Sequence, residues 1–124
     1  MSVSRSQKNL LAESTVQDAV MTLFGARDWF CFPTHDKLHM PAKTGISDVI
    51  VVKNGWTGYV ECKSEGWKPA GPDAKLSKTE ANQRRFRAQI EAHGGIYLIV
   101  QTIEQVQSAL REMNVYADRM VIRL

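Results

Sequence analysis

The stretch "SDVIVVKNGWTGYVECKS", residues 47–64, decides how the rest of the chain is read. Two β-prone runs flank Asn54-Gly55. Asn-Gly between such runs marks a two-residue type I′ hairpin, because both central positions need positive φ. The spacing predicts strands over 48–53 and 57–63, with Lys53 facing Trp56 across the turn. In that register Asp48 faces Glu61, with Cβ atoms about 4.5–5.5 Å apart. Side chains alternate along a strand, so Asp48, Ile50, Val52, Thr57, Tyr59, Glu61 and Lys63 share one face. A longer loop that used Gly58 would slip the register and scatter this set. Two carboxylates and a lysine are therefore expected together at the open end of the hairpin.

Opposed carboxylates repel, and more so under a packed helix. A shared divalent cation relieves the repulsion, and all-oxygen donors favour Mg²⁺ or Mn²⁺ over zinc. The competing reading is an ion pair of Lys63 with Glu61 or Asp48 at a sheet edge.

Upstream, Val16, Val20, Leu23 and Phe24 recur at helical spacing and predict a helix over about 10–25. Its start fits a capping box at either Ser14/Gln17 or Ser4/Gln7. "DWFCFP", 28–33, predicts a short strand, followed by a loop over about 34–46. Downstream, "EGWKPAGPDAK", 65–75, reads as a loop from its Gly and Pro. "LSKTEANQRRFRAQIEAHGG", 76–95, is the clearest helix, with a Ser77/Glu80 capping box and a Gly94-Gly95 stop. "IYLIVQ", 96–101, is an apolar strand of the doubly buried kind. "TIEQVQSALREM", 102–113, is a helix capped by Thr102, and "RMVIRL", 119–124, reads as an edge strand. The order α-β-β-β-α-β-α-β predicts an α/β fold, a mixed sheet flanked by helices.

Two polar residues enter apolar helical stripes. Gln83 lies in line with Thr79, Phe86 and Ile90, and Glu13 in line with Val16, Val20 and Phe24. The segment 63–87 holds seven basic and three acidic residues, a surplus of +4 against +3 for the whole chain. Such a patch suits a polyanion such as nucleic acid, although Glu80–Arg84 and Arg87–Glu91 also read as helix-supporting pairs.

The 124 residues fit one domain, 1–124, and 44% apolar with 23% charged residues is a globular composition. The longest apolar run, Ile96 to Val100, is far too short to span a bilayer, and no membrane partner is expected. The N-terminal segment has no apolar signal core. Cys31 and Cys62 lack C-x-x-C spacing and read as reduced thiols. An intracellular, cytoplasmic protein is expected. His35, His39 and His93 show no metal-ligand spacing.

The order Gly45-Ile-Ser-Asp48, then "VECK" with Glu61 and Lys63, then "LSKTEANQRRF", then "HGGIYLIV" resembles the PD-(D/E)XK nuclease superfamily. Within it the chain looks most like the virus-type replication-repair nuclease (VRR-NUC) group, from about Glu13 to Leu110. The resemblance implies a restriction-endonuclease-like α-β-β-β-α-β core. It implies that Asp48, Glu61 and the Cys62 backbone carbonyl hold Mg²⁺ or Mn²⁺, that Glu13 is the first-helix acid, and that Lys63 is the catalytic lysine. Gln83 matches the helix-motif glutamine. The chain departs from the family in two ways: about one extra turn separates "LS" from Gln83, and Lys78 stands where a proline is common. Glu80 is therefore the alternative helix-motif residue.

The function so implied is metal-dependent hydrolysis of DNA phosphodiesters by a nuclease. It would be structure-selective for branched or Holliday-junction DNA in replication, repair or recombination, and would act as a homodimer. Lys75, Lys78, Arg84, Arg85 and Arg87 would contact the DNA backbone, with Trp56 and Trp67 as candidates to stack on bases. The alternative is a DNA-binding module of the same fold that no longer cuts.

Overall fold

The computed structural model describes residues 10–34 and 47–122. The Ser4/Gln7 box, His35, His39 and Gly45 lie outside these residues. The elements run α1 (Glu13–Gly25), β1 (Phe30–Pro33), β2 (Val49–Lys53), β3 (Trp56–Cys62), α2 (Lys78–Ala92), β4 (Tyr97–Val100) and α3 (Ile103–Ile122). The strands form one mixed sheet in the order β1-β2-β3-β4, with β1–β2 and β2–β3 antiparallel and β3–β4 parallel.

The Asn54-Gly55 turn sets the register as expected. Asn54 has φ 56° and Gly55 φ 80°, and Lys53 pairs with Trp56 through to Val49 with Val60. Gly58 belongs to the ladder, opposite Val51. A Cβ there would lie 2.8 Å from the Trp56 ring and 3.0 Å from Met113, so close packing of α3 on β3 requires the glycine.

The two faces of the sheet differ. Val49, Val51, Val60, Cys62 and Val100 are buried with Val16, Val20 and Phe24 of α1 and with Val106, Leu110, Met113 and Ala117 of α3. This is the core. The other face carries Tyr59, Glu61, Tyr97 and Ile99, placed by the parallel β3–β4 register. There α2 rests through Phe86, whose ring lies 5.8 Å from Tyr59 and 6.2 Å from Tyr97. No residue of α2 is itself buried.

Two expectations are corrected. Residues 119–122 continue α3 rather than forming a strand, because Val106, Leu110, Met113 and Ala117 keep one stripe in the core past residue 113. Ser14 does not cap α1. The N-cap is Ala12, which makes no side-chain cap bond, and the helix entry is held by Leu11, which exchanges main-chain and side-chain bonds with Glu65. No helix among the described residues is long and apolar enough to cross a membrane.

Candidate active site

The site lies where β2 and β3 leave the hairpin ladder. Asp48 and Glu61 are 9% and 3% exposed, and Lys63 is 9% exposed. Charges this deep need compensation. Asp48 sits one residue beyond the last pair, and its Oδ2 accepts the Cys62 backbone N–H at 2.7 Å. The first carboxylate is thereby clamped onto the backbone of the second strand. Glu61 Oε2 lies 3.3 Å from the Lys63 ammonium, and Glu61 Oε1 accepts from the Tyr97 hydroxyl. Lys63 also donates to Gln83 Oε1 at 2.9 Å. The polar member of the α2 stripe thus reaches the site from above the sheet. Of the two helix residues left open by the sequence, Gln83 makes this contact, while Glu80 lines the cleft beside it.

The carboxylate charges act on two neighbouring groups. The Cys62 thiol is pushed up by burial first, then by the charges of Asp48, Glu13 and Glu61. The Tyr97 phenol is also pushed up, by burial, by its hydrogen bond to Glu61 and by the charges of Glu61 and Asp48, with Arg87 opposing. Tyr97 therefore stays a proton donor to Glu61. Cys31, away from these charges, is raised to about 11 by burial alone. Both cysteines are free thiols.

Glu13 is exposed on the first turn of α1, and its charge reaches Cys62. It is not gathered with Asp48 and Glu61: among the described residues no three His, Cys, Asp or Glu side chains are grouped to hold a metal ion. A metal here would rest on two carboxylates and a main-chain oxygen. The two buried carboxylates supply oxygen donors of the type that a hard divalent cation takes.

The basic residues fall into two groups. Lys75, Lys78, Arg84 and Arg85 are exposed, with Arg85 bonded to Asn82. Arg84 leans to the Ala70 carbonyl at 3.5 Å rather than to Glu80. Arg87 is half-buried, paired with Glu91 at 3.2 Å and over the Tyr97 ring at 5.8 Å. The two candidate stacking residues separate as well. Trp56 is stacked on Tyr116 at 5.3 Å and meets Trp29 edge-on, so it is spent on packing. Trp67 stands at the site, with the Lys63 ammonium 5.2 Å from its ring centroid.

Sequence reasoning missed Tyr97 and Gln101. The Gln101 amide donates to the carbonyls of Trp67 at 2.7 Å and Ser64 at 3.1 Å, tying the loop after Lys63 to the end of β4. The available signal was a polar tip within or just after an apolar run, but only the β3–β4 register shows where it points. Compared with known proteins, the chain matches no family model and no curated protein.

Proposed function

We propose that this chain is a divalent-metal-dependent DNA nuclease of the restriction-endonuclease-like fold, acting inside the cell on branched or junction DNA. The observation that carries the reading is the buried Glu61–Lys63 pair with Gln83 held on Lys63, beside buried Asp48 clamped to the Cys62 N–H on the same strand as Glu61. Asp48, Glu61 and the Cys62 carbonyl would hold Mg²⁺ or Mn²⁺, with Glu13 at the margin. When bound, such an ion polarises a phosphate and lowers the pKa of a coordinated water.

The chain's own groups do the rest. Lys63 places a positive charge where negative charge grows on the phosphorane, and Gln83 fixes the direction of its ammonium. Tyr97 orients Glu61 by donating to one oxygen and leaving the other for Lys63 or a ligand. The exposed Lys75, Lys78, Arg84 and Arg85, with Arg87, hold the DNA backbone without reading sequence.

The test is cleavage of a panel of linear, flapped and four-way DNAs with Mg²⁺, with Mn²⁺ and with EDTA. Metal-dependent cuts are expected. DNA binding without cleavage under every condition would instead support the non-cutting module. Replacing Arg84, Arg85 and Arg87 together with Ala is expected to weaken duplex binding and reduce the log–log salt slope by roughly three. An unchanged slope would move the DNA face elsewhere. The proposed assembly is a homodimer, because one site per chain cannot readily cut both strands of a junction in one encounter. Light scattering should give twice the 14.0 kDa chain mass, and a monomer mass would remove this part of the proposal.

A further inference from the structure

Beside Glu61 an open cleft of about 340 Å³ runs between α2 and the 64–70 loop. Its flat walls are Trp67 and Pro69 on the loop side and Tyr97 and Ile99 on the sheet. Its charges nearly balance, Arg84 and Arg87 standing against Glu61, Glu80 and Glu91. The flat walls suit a neutral planar ring, and Arg84 and Arg87 remain for the backbone phosphate. The volume sits at the lower end for small-ligand sites, enough for one base but not for a paired and stacked duplex.

The wall residue Trp67 is unusual. Its Nε1 is the one buried side-chain nitrogen or oxygen, among the described residues, without a hydrogen-bond partner. Its main chain is fixed by Gln101, so the base of the side chain is held while its polar end is unmet.

We propose that this cleft seats one unpaired nucleotide of the DNA substrate, its base against the Trp67 ring and its sugar-phosphate at the rim. The proposal rests on the nuclease reading and narrows its substrate class. Glu61 lines the cleft and Lys63 touches Trp67, so the seated base belongs to a nucleotide adjacent to the phosphate at the carboxylates. DNA with a single-stranded arm next to the cut then enters, and continuous duplex does not. Base–aromatic stacking tolerates any sequence, which agrees with backbone contacts that carry no sequence information.

Binding in EDTA separates this from cleavage. Wild type, Trp67→Ala, Trp67→Phe and Ile99→Trp are compared on a single-stranded oligonucleotide and a blunt duplex of equal length. Trp67→Ala is expected to lose roughly five- to a hundredfold in single-strand affinity while duplex affinity stays within about twofold. Trp67→Phe should fall between. Ile99→Trp fills the cleft from the opposite wall and should lose single-strand affinity with Trp67 intact, so it decides the matter if Trp67→Ala fails to fold. Equal weakening on both DNAs, or no change in either, would overturn the proposal and leave the nuclease reading standing. No DNA binding by wild type at all would overturn both.

Discussion

Mn²⁺ is expected to raise the melting temperature of the wild-type chain and of Lys63→Ala, and to leave Asp48→Asn where it was. An ion that binds only the folded state, at a hundredfold above its dissociation constant, stabilises by about 2.7 kcal/mol, or roughly 10 °C for a domain of this size. Asp48→Asn removes a negative charge but keeps an oxygen for the Cys62 N–H, which donates to Asp48 Oδ2 at 2.7 Å. Carboxylate repulsion is relieved, so the metal-free fold should hold or gain stability.

Lys63→Ala acts in the opposite sense. It strips Glu61 of an ammonium 3.3 Å away and Gln83 of its donor. The metal-free fold is expected to weaken, Mn²⁺ to stabilise it still, and any cleavage to fall by roughly a hundredfold or more. The competing reading has evidence of its own, since the Lys63–Glu61 ion pair is present. If that pair were the whole role of these residues, either change would destabilise and Mn²⁺ would move nothing. Thermal melts of the three proteins with and without Mn²⁺ decide. No shift in any of them, at concentrations that support cleavage, removes the shared ion.

The hairpin was legible because its determinants are local. Asn54-Gly55 favours one turn type, that turn sets the register, and the register places Asp48 one residue beyond the last pair, on the side of Glu61. The α2 stripe was legible for the same reason, with Gln83 at the spacing of Phe86 and Ile90. What escaped depends on contacts distant in sequence. The last six residues look strand-like when read alone, because Met120, Val121 and Ile122 are apolar and β-prone. Tertiary packing of Met113 and Ala117 against the sheet overrides that preference. Ser14 matched a capping pattern, but the pairing of Leu11 with Glu65, 54 positions apart, sets where α1 begins. The role of Tyr97 follows only once β4 is parallel to β3, since the hydroxyl then crosses to Glu61 from two residues along the ladder, on the same face.

Phe24→Ala is expected to destabilise the chain by about 3–5 kcal/mol, while Phe86→Ala costs about 1–2 kcal/mol. Both remove one phenyl ring, so the difference measures the layer that each ring serves. Phe24 is fully buried, packs edge-on against Trp29 at 5.4 Å and joins α1 to the core. The Trp29 indole continues the connection by donating to Asn114 of α3 at 2.8 Å. A cavity at Phe24 cannot be filled without moving two helices, and a loss of this size is a large share of the 5–15 kcal/mol that holds most domains together. Phe86 is half-buried, on a helix with no buried residue, so water can enter the space it leaves. Its loss should appear in function: α2 carries Gln83, and a loosened α2 lets the Lys63 ammonium wander. Phe86→Ala should therefore melt near wild type yet cleave more slowly, whereas Phe24→Ala should melt far lower and, below its transition, keep its site. Denaturant melts paired with cleavage rates on the same preparations test this. Equal stability losses for the two variants would show that α2 is as firmly built into the fold as α1, and the α2 layer would then not be the softer one.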